Sequence, residues 1–226
     1  MKLLEFENIE ELETSLLAVI EKQLKISLKT NDDVLVLLSG GSTPINLYKR
    51  FNSISDIDWG KVSFGLVDER WLKNDNEQSN FNNIFQALGA EITDNAVFLP
   101  MVYNTDDEAK NLLLSKTANS TFLNQKTIVF LGMGSDGNTG SLFPGTEQTE
   151  TALSSIEPDI VLNVAPSAPL KRITHNLKSL LNTKKLILYI NGGEKKEVFK
   201  NARVDLLPIS YFMNSQSSDL EVFWSP

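Results

Sequence analysis

Asp136, Asn138, Thr139 and Ser141 follow the apolar run IVFLGM (128–133). They lie in a stretch that holds five of the chain's twelve glycines, Gly132, Gly134, Gly137, Gly140 and Gly145. A buried strand that empties into such a loop exposes backbone N–H groups and leaves room for a ligand against the main chain. The amides around Gly134, Gly137 and Gly140 are expected to form an anion nest or oxyanion hole. The same residues would also suit a Gly-rich crossover that buries Leu142 and Phe143.

Four further segments carry groups for an anion. SGGSTP (39–44) leaves a strand and opens a helix. There Gly40 and Gly41 admit close approach, and the Ser42 and Thr43 hydroxyls add donors. Thr43 is the expected N-cap, with Pro44 at the first helical position. An ordinary strand-to-helix turn uses the same residue types. DERW (68–71) closes the next strand: Arg70 suits a bidentate contact with phosphate or carboxylate, and Asp68 suits sugar hydroxyls. The alternative there is a local ion pair at the sheet edge. Lys171, Arg172, Lys195 and Lys196 are the remaining cationic candidates, each equally suited to a solvated surface position. His175, the single histidine, reads as structural or exposed.

These segments need a scaffold of strands whose carboxyl ends converge, where ligands sit in open α/β sheets. Apolar spacing predicts a helix over 9–25, with Asn8 and Glu11 as a capping box. Strands are expected at 34–38, 62–67, 96–101, 128–133, 159–164, 172–175, 186–190 and 220–224. Helices are expected through 47–51, over 79–88 and 106–123, and near 177–182 and 194–202. Short apolar strands alternating with helices indicate α/β architecture: a single doubly wound, mostly parallel sheet with helices on both faces, Rossmann-like, spanning residues 1–226 as one domain.

The chain's 226 residues can bury a substantial core. With 21 Lys plus Arg against 29 Asp plus Glu, the net charge of −8 argues against nucleic-acid or anionic-membrane partners. The absence of cysteine excludes disulfides and thiolate metal sites. A lone histidine excludes a multi-histidine zinc site and disfavours a Ser-His-Asp triad. The N-terminus has no signal-peptide core, and VLVLL and LILYI fall far short of the roughly 18 apolar residues of a membrane span. The expectation is a soluble cytoplasmic protein, monomeric or weakly homo-oligomeric, needing no cofactor or metal.

Taken together, SGGSTP, DERW followed by SN (79–80), GMGSDGNTGSLFPG (132–145), PLKRIT (169–174) and GGEKKEV (192–198) resemble the 6-phosphogluconolactonases in order and spacing. The resemblance runs from about residue 34 to the C-terminus, including the strand with Trp224. It implies the sheet shared with glucosamine-6-phosphate deaminase and ribose-5-phosphate isomerase. It also implies metal-free hydrolysis of 6-phospho-glucono-1,5-lactone to 6-phosphogluconate, in the oxidative pentose phosphate pathway. Gly40, Gly41, Ser42 and Thr43 look like its phosphate loop, and Arg70, Arg172 and Lys195 like the positive groups around the substrate.

The catalytic set expected from the resemblance is Asp136, Asn138 and Arg70. Asp68, Gly137 and Thr139 join the phosphate-loop residues, Arg172 and Lys195 in contacting substrate. One departure is central. The family usually reads DGHTASLFP, and its histidine is the proposed base; here position 138 is Asn and position 140 is Gly. An amide has no useful basicity near neutral pH, leaving Asp136 or Asp68 as weaker substitutes and His175 only if folding brings it to the pocket. Two alternatives remain: a catalytically degenerate phosphosugar-binding domain, and a sugar-phosphate isomerase or deaminase. The second is disfavoured because the motif ends in Leu142, Phe143 and Pro144 rather than asparagine-glutamate-proline.

Overall fold

The computed structural model describes residues 1–30, 33–213 and 219–226. Its strands are β1 (Lys2–Glu5), β2 (Val34–Leu38), β3 (Val62–Leu66), β4 (Asp68–Arg70), β5 (Val97–Phe98), β6 (Lys126–Leu131), β7 (Ile160–Val164), β8 (Lys171–His175), β9 (Thr183–Asn191) and β10 (Leu220–Ser225). The helices are α1 (Ile9–Lys29), α2 (Ser42–Lys49), α3 (Asn80–Leu88), α4 (Ala90–Thr93), α5 (Glu108–Ala118), α6 (Glu147–Ser154), α7 (Leu177–Leu181), α8 (Gly193–Asn201) and α9 (Pro208–Met213).

Seven strands form one sheet in the order β1-β10-β9-β6-β2-β3-β5, and every pairing in it is parallel. From β2 the chain winds outward through β3 to β5. It then returns to β6 on the other side of β2 and winds outward again through β9 and β10. This reversal makes the gap between the carboxyl ends of β2 and β6 the topological switch point, where such sheets bind ligands.

Strand periodicity sorts the central residues onto two buried faces. Val34, Val36, Leu38, Ile128, Phe130, Ile187 and Tyr189 join Leu12, Leu16, Ile20 and Leu24 of α1 and Ile84 and Leu88 of α3. Leu35, Leu37, Val129, Leu131, Leu186, Leu188 and Ile190 face Leu177 and Leu180 of α7, Phe199 of α8 and Ile209 and Phe212 of α9. The uninterrupted run VLVLL follows from this arrangement, since a strand covered on both sides needs apolar residues at every position.

Several expectations need correction. β4, β8 and β7 leave the main sheet and form a separate antiparallel one. DIVLNV and RITH therefore do not extend the parallel sheet. Nothing in their apolar pattern distinguishes the two pairings, because each strand has at least one buried face. The strand expected over 96–101 shrinks to Val97–Phe98 at the sheet edge, ended by Pro100. The helix expected over 106–123 splits into α5 and a 3-10 turn, Ser120–Leu123, after Asn119. In α1 the helix runs on to Lys29, and Asn8 caps the N–H of Glu11 at 2.9 Å. Glu11 reaches back to the amide of Glu7, not that of Asn8.

Candidate active site

A pocket of about 350 Å³ opens at the switch point, between the loops that follow β2 and β6. Its walls include Gly40, Gly41, Ser42, Thr43, Asp68, Arg70, Asn138, Arg172 and Lys195. Five separated segments thus meet in one cavity. Asp136, Gly137 and Thr139 are not among its walls.

The loop after β2 supplies one end. Helix α2 begins at Ser42 with Gly41 as N-cap at φ 105°, a backbone region that glycine adopts without strain. Thr43 is therefore not the cap; its hydroxyl donates to Asn191 Oδ1 at 3.3 Å and ties this loop to the end of β9. The first-turn amides of Ser42 and Thr43 have no intrahelical acceptor, and together with the helix dipole they favour an anion. Gly40 has a steric role: a Cβ there would lie 1.9 Å from Asn80 Oδ1. Asn80 in turn donates through Nδ2 to the Asp68 carbonyl at 2.9 Å, so it bridges two walls of the pocket. SN at 79–80 was legible as a motif, but residue type alone assigned Asn80 no position.

β4 sorts the acidic and basic side chains of DERW by strand alternation. Asp68 and Arg70 reach the pocket. Glu69 is fully buried. Its carboxylate accepts from the amides of Arg70 (2.6 Å), Asn80 (2.8 Å) and Phe81 (2.7 Å) and from the Ser79 hydroxyl (2.8 Å). Burial pushes its pKa up, and those donors pull it back. The ion pair considered for this segment is not what Glu69 makes; it caps α3 and locks β4 to it.

Arg70 lies directly opposite Arg172 in the antiparallel register of β4 and β8. Like charges in that relation destabilise a sheet unless something of opposite charge sits between them. Arg70 donates to the Gln78 carbonyl. Arg172 donates to the carbonyls of Pro169 and Lys171 and stacks 6.0 Å from the Phe143 ring centroid. Burial, and then the charge of Arg70, lower the Arg172 pKa against the opposing pull of Asp68. Two guanidinium groups facing each other in this way favour negative charge between them.

Lys195 comes from the first turn of α8. The approach to that helix is fixed by Trp224, whose Nε1 donates to the Gly192 carbonyl at 2.9 Å, and by Gly192, whose amide donates to Ser225 at 2.9 Å. Burial lowers the Lys195 pKa. Lys196 turns away: it pairs with Glu5 at 2.8 Å and lies 3.6 Å over the Trp224 ring. Lys171 pairs with Glu108.

The loop after β6 departs most from expectation. The amide of Gly134 is spent on the Asn138 carbonyl (3.0 Å) and that of Gly137 on the Gly134 carbonyl (3.1 Å). Neither is free to serve as an anion nest, because the loop closes on itself. Thr139 is buried and donates to the Gly132 carbonyl at 2.7 Å, while Gly137 packs beneath Leu207. Asp136 is exposed and accepts from the Asn138 backbone (3.1 Å) and from its side-chain amide, so it orients Asn138 from outside the cavity. Ser141 instead points inward and donates to Asp68 Oδ2.

His175 is not brought to the pocket. It is fully buried, with Nδ1 2.8 Å from Ser179 Oγ and Nε2 without a hydrogen-bond partner among the described residues. Among the described residues no group of three or more His, Asp or Glu side chains is placed to hold a metal ion. No described helix is long and apolar enough to cross a membrane.

The chain is similar to known proteins over almost its whole length. The family model for glucosamine-6-phosphate isomerases/6-phosphogluconolactonase matches residues 7–224. A 6-phosphogluconolactonase of Helicobacter pylori is 33% identical, over 99% of this chain and 98% of its own. One from Rhizobium meliloti is 30% identical, over 98% and 97%. The crystal structure of a 6-phosphogluconolactonase from Shewanella baltica superposes with a TM-score of 0.92 at 30% identity, covering 100% of this chain and 98% of that one. With the family model matched over residues 7–224 and relatives of 30% identity or more covered almost end to end, the chain belongs to the 6-phosphogluconolactonase family.

Proposed function

We propose that this chain hydrolyses 6-phospho-D-glucono-1,5-lactone to 6-phospho-D-gluconate, in the oxidative pentose phosphate pathway. The observation that carries the reading is the facing pair Arg70 and Arg172, set with Lys195 and the N-terminus of α2 around one cavity. Three cations and a helix dipole in a chain of net charge −8 suit a small phosphorylated ligand. The names of the relatives, all 6-phosphogluconolactonases, supply the lactone.

In this reading Ser42, Thr43 and the amides of their turn hold the phosphate, with Gly40 and Gly41 allowing its approach. Arg70, Arg172 and Lys195 neutralise it and the developing oxyanion. Asn138, held by Asp136, orients water or the lactone carbonyl but accepts no proton. A δ-lactone is an activated ester, so hydrolysis needs less assistance than amide cleavage. Asn138 equally motivates a second reading, a binding domain that has lost turnover.

Turnover of the lactone above its spontaneous rate, followed against affinity for 6-phosphogluconate, separates the two. In the enzyme, Arg70→Ala should weaken 6-phosphogluconate binding at least about 30-fold, equivalent to about 2 kcal/mol, and lower turnover as well. A binding domain would show that affinity loss with no lactone turnover in either form. Unchanged affinity and turnover would mean that this guanidinium does not face the ligand.

A further inference from the structure

We propose that Asp68, through Oδ1, is the base that activates the hydrolytic water in this chain. The inference rests on the lactonase reading above and addresses the proton that Asn138 cannot take. Among the described residues lining the pocket, the titratable side chains are Asp68, Arg70, Arg172, Tyr189 and Lys195. Asp68 is the only carboxylate of these. Both guanidinium groups remain charged, and the Tyr189 hydroxyl donates to Glu13 at 3.2 Å and is pushed to a still higher pKa by burial. Lys195 faces the same anion as the two arginines, and a phosphate beside it would hold its proton in place.

The other carboxylates nearby are committed elsewhere. Glu69 receives four donors on the far side of β4, and Asp136 is exposed and bound to Asn138 outside the cavity.

Asp68 is oriented for the task. Ser141 donates to Oδ2, which fixes the carboxylate and leaves Oδ1 without a hydrogen-bond partner among the described residues. Burial makes this carboxylate more basic than an ordinary aspartate. Ser141, Arg70 and Arg172 act in the opposite direction. Thr174 lies opposite Asp68 on β8, the nearby Tyr48 phenol donates to the Ser39 carbonyl at 2.9 Å, and Lys195 shares the cavity.

The step balances without any further reactant. Oδ1 takes a proton from water as the water oxygen bonds to the lactone carbonyl carbon, and the carbonyl electron pair moves to its oxygen. On collapse the ring C–O bond breaks with its electrons passing to the ring oxygen, which receives the proton back from Asp68. The product acid then ionises to solvent.

Asp68→Asn retains an acceptor for Ser141 and removes the basicity. It should lower kcat ~10²–10⁴-fold, leave 6-phosphogluconate affinity within about threefold, and abolish the wild-type acid limb above the ordinary aspartate range. Adding Asn138→His to Asp68→Asn should restore turnover, with an acid limb moved to the imidazole range near ~6.5. Asp68→Asn turnover within about threefold of wild type overturns the proposal. So does a loss of product affinity as large as the loss of kcat, which would make Asp68 a binding group only. Wild-type protein that binds 6-phosphogluconate but never accelerates lactone hydrolysis is a different failure: it removes the lactonase reading itself.

Discussion

Glu69→Ala is expected to destabilise the protein by about 3–5 kcal/mol and to weaken the site at the same time. The variant leaves four buried donors, the amides of Arg70, Asn80 and Phe81 and the Ser79 hydroxyl, with no acceptor. Unsatisfied buried groups and broken buried charge networks are among the few single changes that reach this size. In a chain of 226 residues the loss corresponds to a fall in Tm of roughly 6–20 °C.

The functional loss follows from placement. Glu69 sits between Asp68 and Arg70 and holds the amide of Asn80, so the strand that presents two pocket side chains loses its anchor to α3. Thermal unfolding and 6-phosphogluconate binding on the same preparation give both readouts. A variant within about 1 kcal/mol of wild type, with unchanged affinity, would show that water replaces the carboxylate without consequence.

Lys126→Met should remove a rise in stability between pH 7 and pH 10. Lys126 is fully buried at the start of β6, far along the strand from the pocket end. Its ammonium donates to the backbone carbonyl of Ser179 and, at 3.1 Å, to the Ser179 hydroxyl. That hydroxyl meets His175 Nδ1. With no carboxylate in this chain of bonds, burial lowers the lysine pKa to about 7.

The sign follows from where the proton resides. Between about pH 7 and the unfolded value of ~10.4 the unfolded chain holds a proton that the folded chain lacks, so stability rises with pH. The slope is at most ~1.4 kcal/mol per unit, and the whole window is of order 4 kcal/mol. Below pH 7 both states are protonated and the cost of burying the charge is fully present.

His175 lies in the same network. Burial, then the charge of Lys126, push its pKa well below the ordinary value. Its unfolded form therefore protonates first on acidification, and stability falls below pH ~6.5. Urea unfolding from pH 5 to pH 10 should show Lys126→Met losing the upper slope and keeping the lower one. An unchanged slope above pH 7 in the variant would refute the assignment.

Much of the architecture was legible because burial on two faces leaves a mark on composition. VLVLL, IVFLGM and LILYI have no polar position, as strands covered on both sides require. The loops SGGSTP and GGEKKEV could be placed at strand ends from their glycines alone, and the structure seats Thr43 and Lys195 of those loops in one pocket. The β6 loop shows the limit of that reasoning. Its glycines advertised free amides, but the Gly134 and Gly137 amides close hydrogen bonds inside the loop. Hydrogen-bond partners three and four residues apart in a bend are a matter of backbone path, which composition does not encode.

DERW marks the boundary most sharply. The residue types announced charge at a strand end, a costly placement that demanded partners. That Asp68 and Arg70 face the cavity while Glu69 faces α3 follows from alternation only once β4 is known to be a strand, and β4 exists only through pairing with β8.

Local pattern by itself determined the strand–helix alternation, the two-sided core and the family, because these repeat at periods of two and 3.6 residues or sit in contiguous words. The tertiary structure alone decided which segments share a sheet and which carboxylate faces the cavity. It also placed His175 and Lys126 together in the interior, outside the pocket lining. Those outcomes depend on contacts between residues tens to hundreds of positions apart, and the geometry of such contacts is absent from any local window.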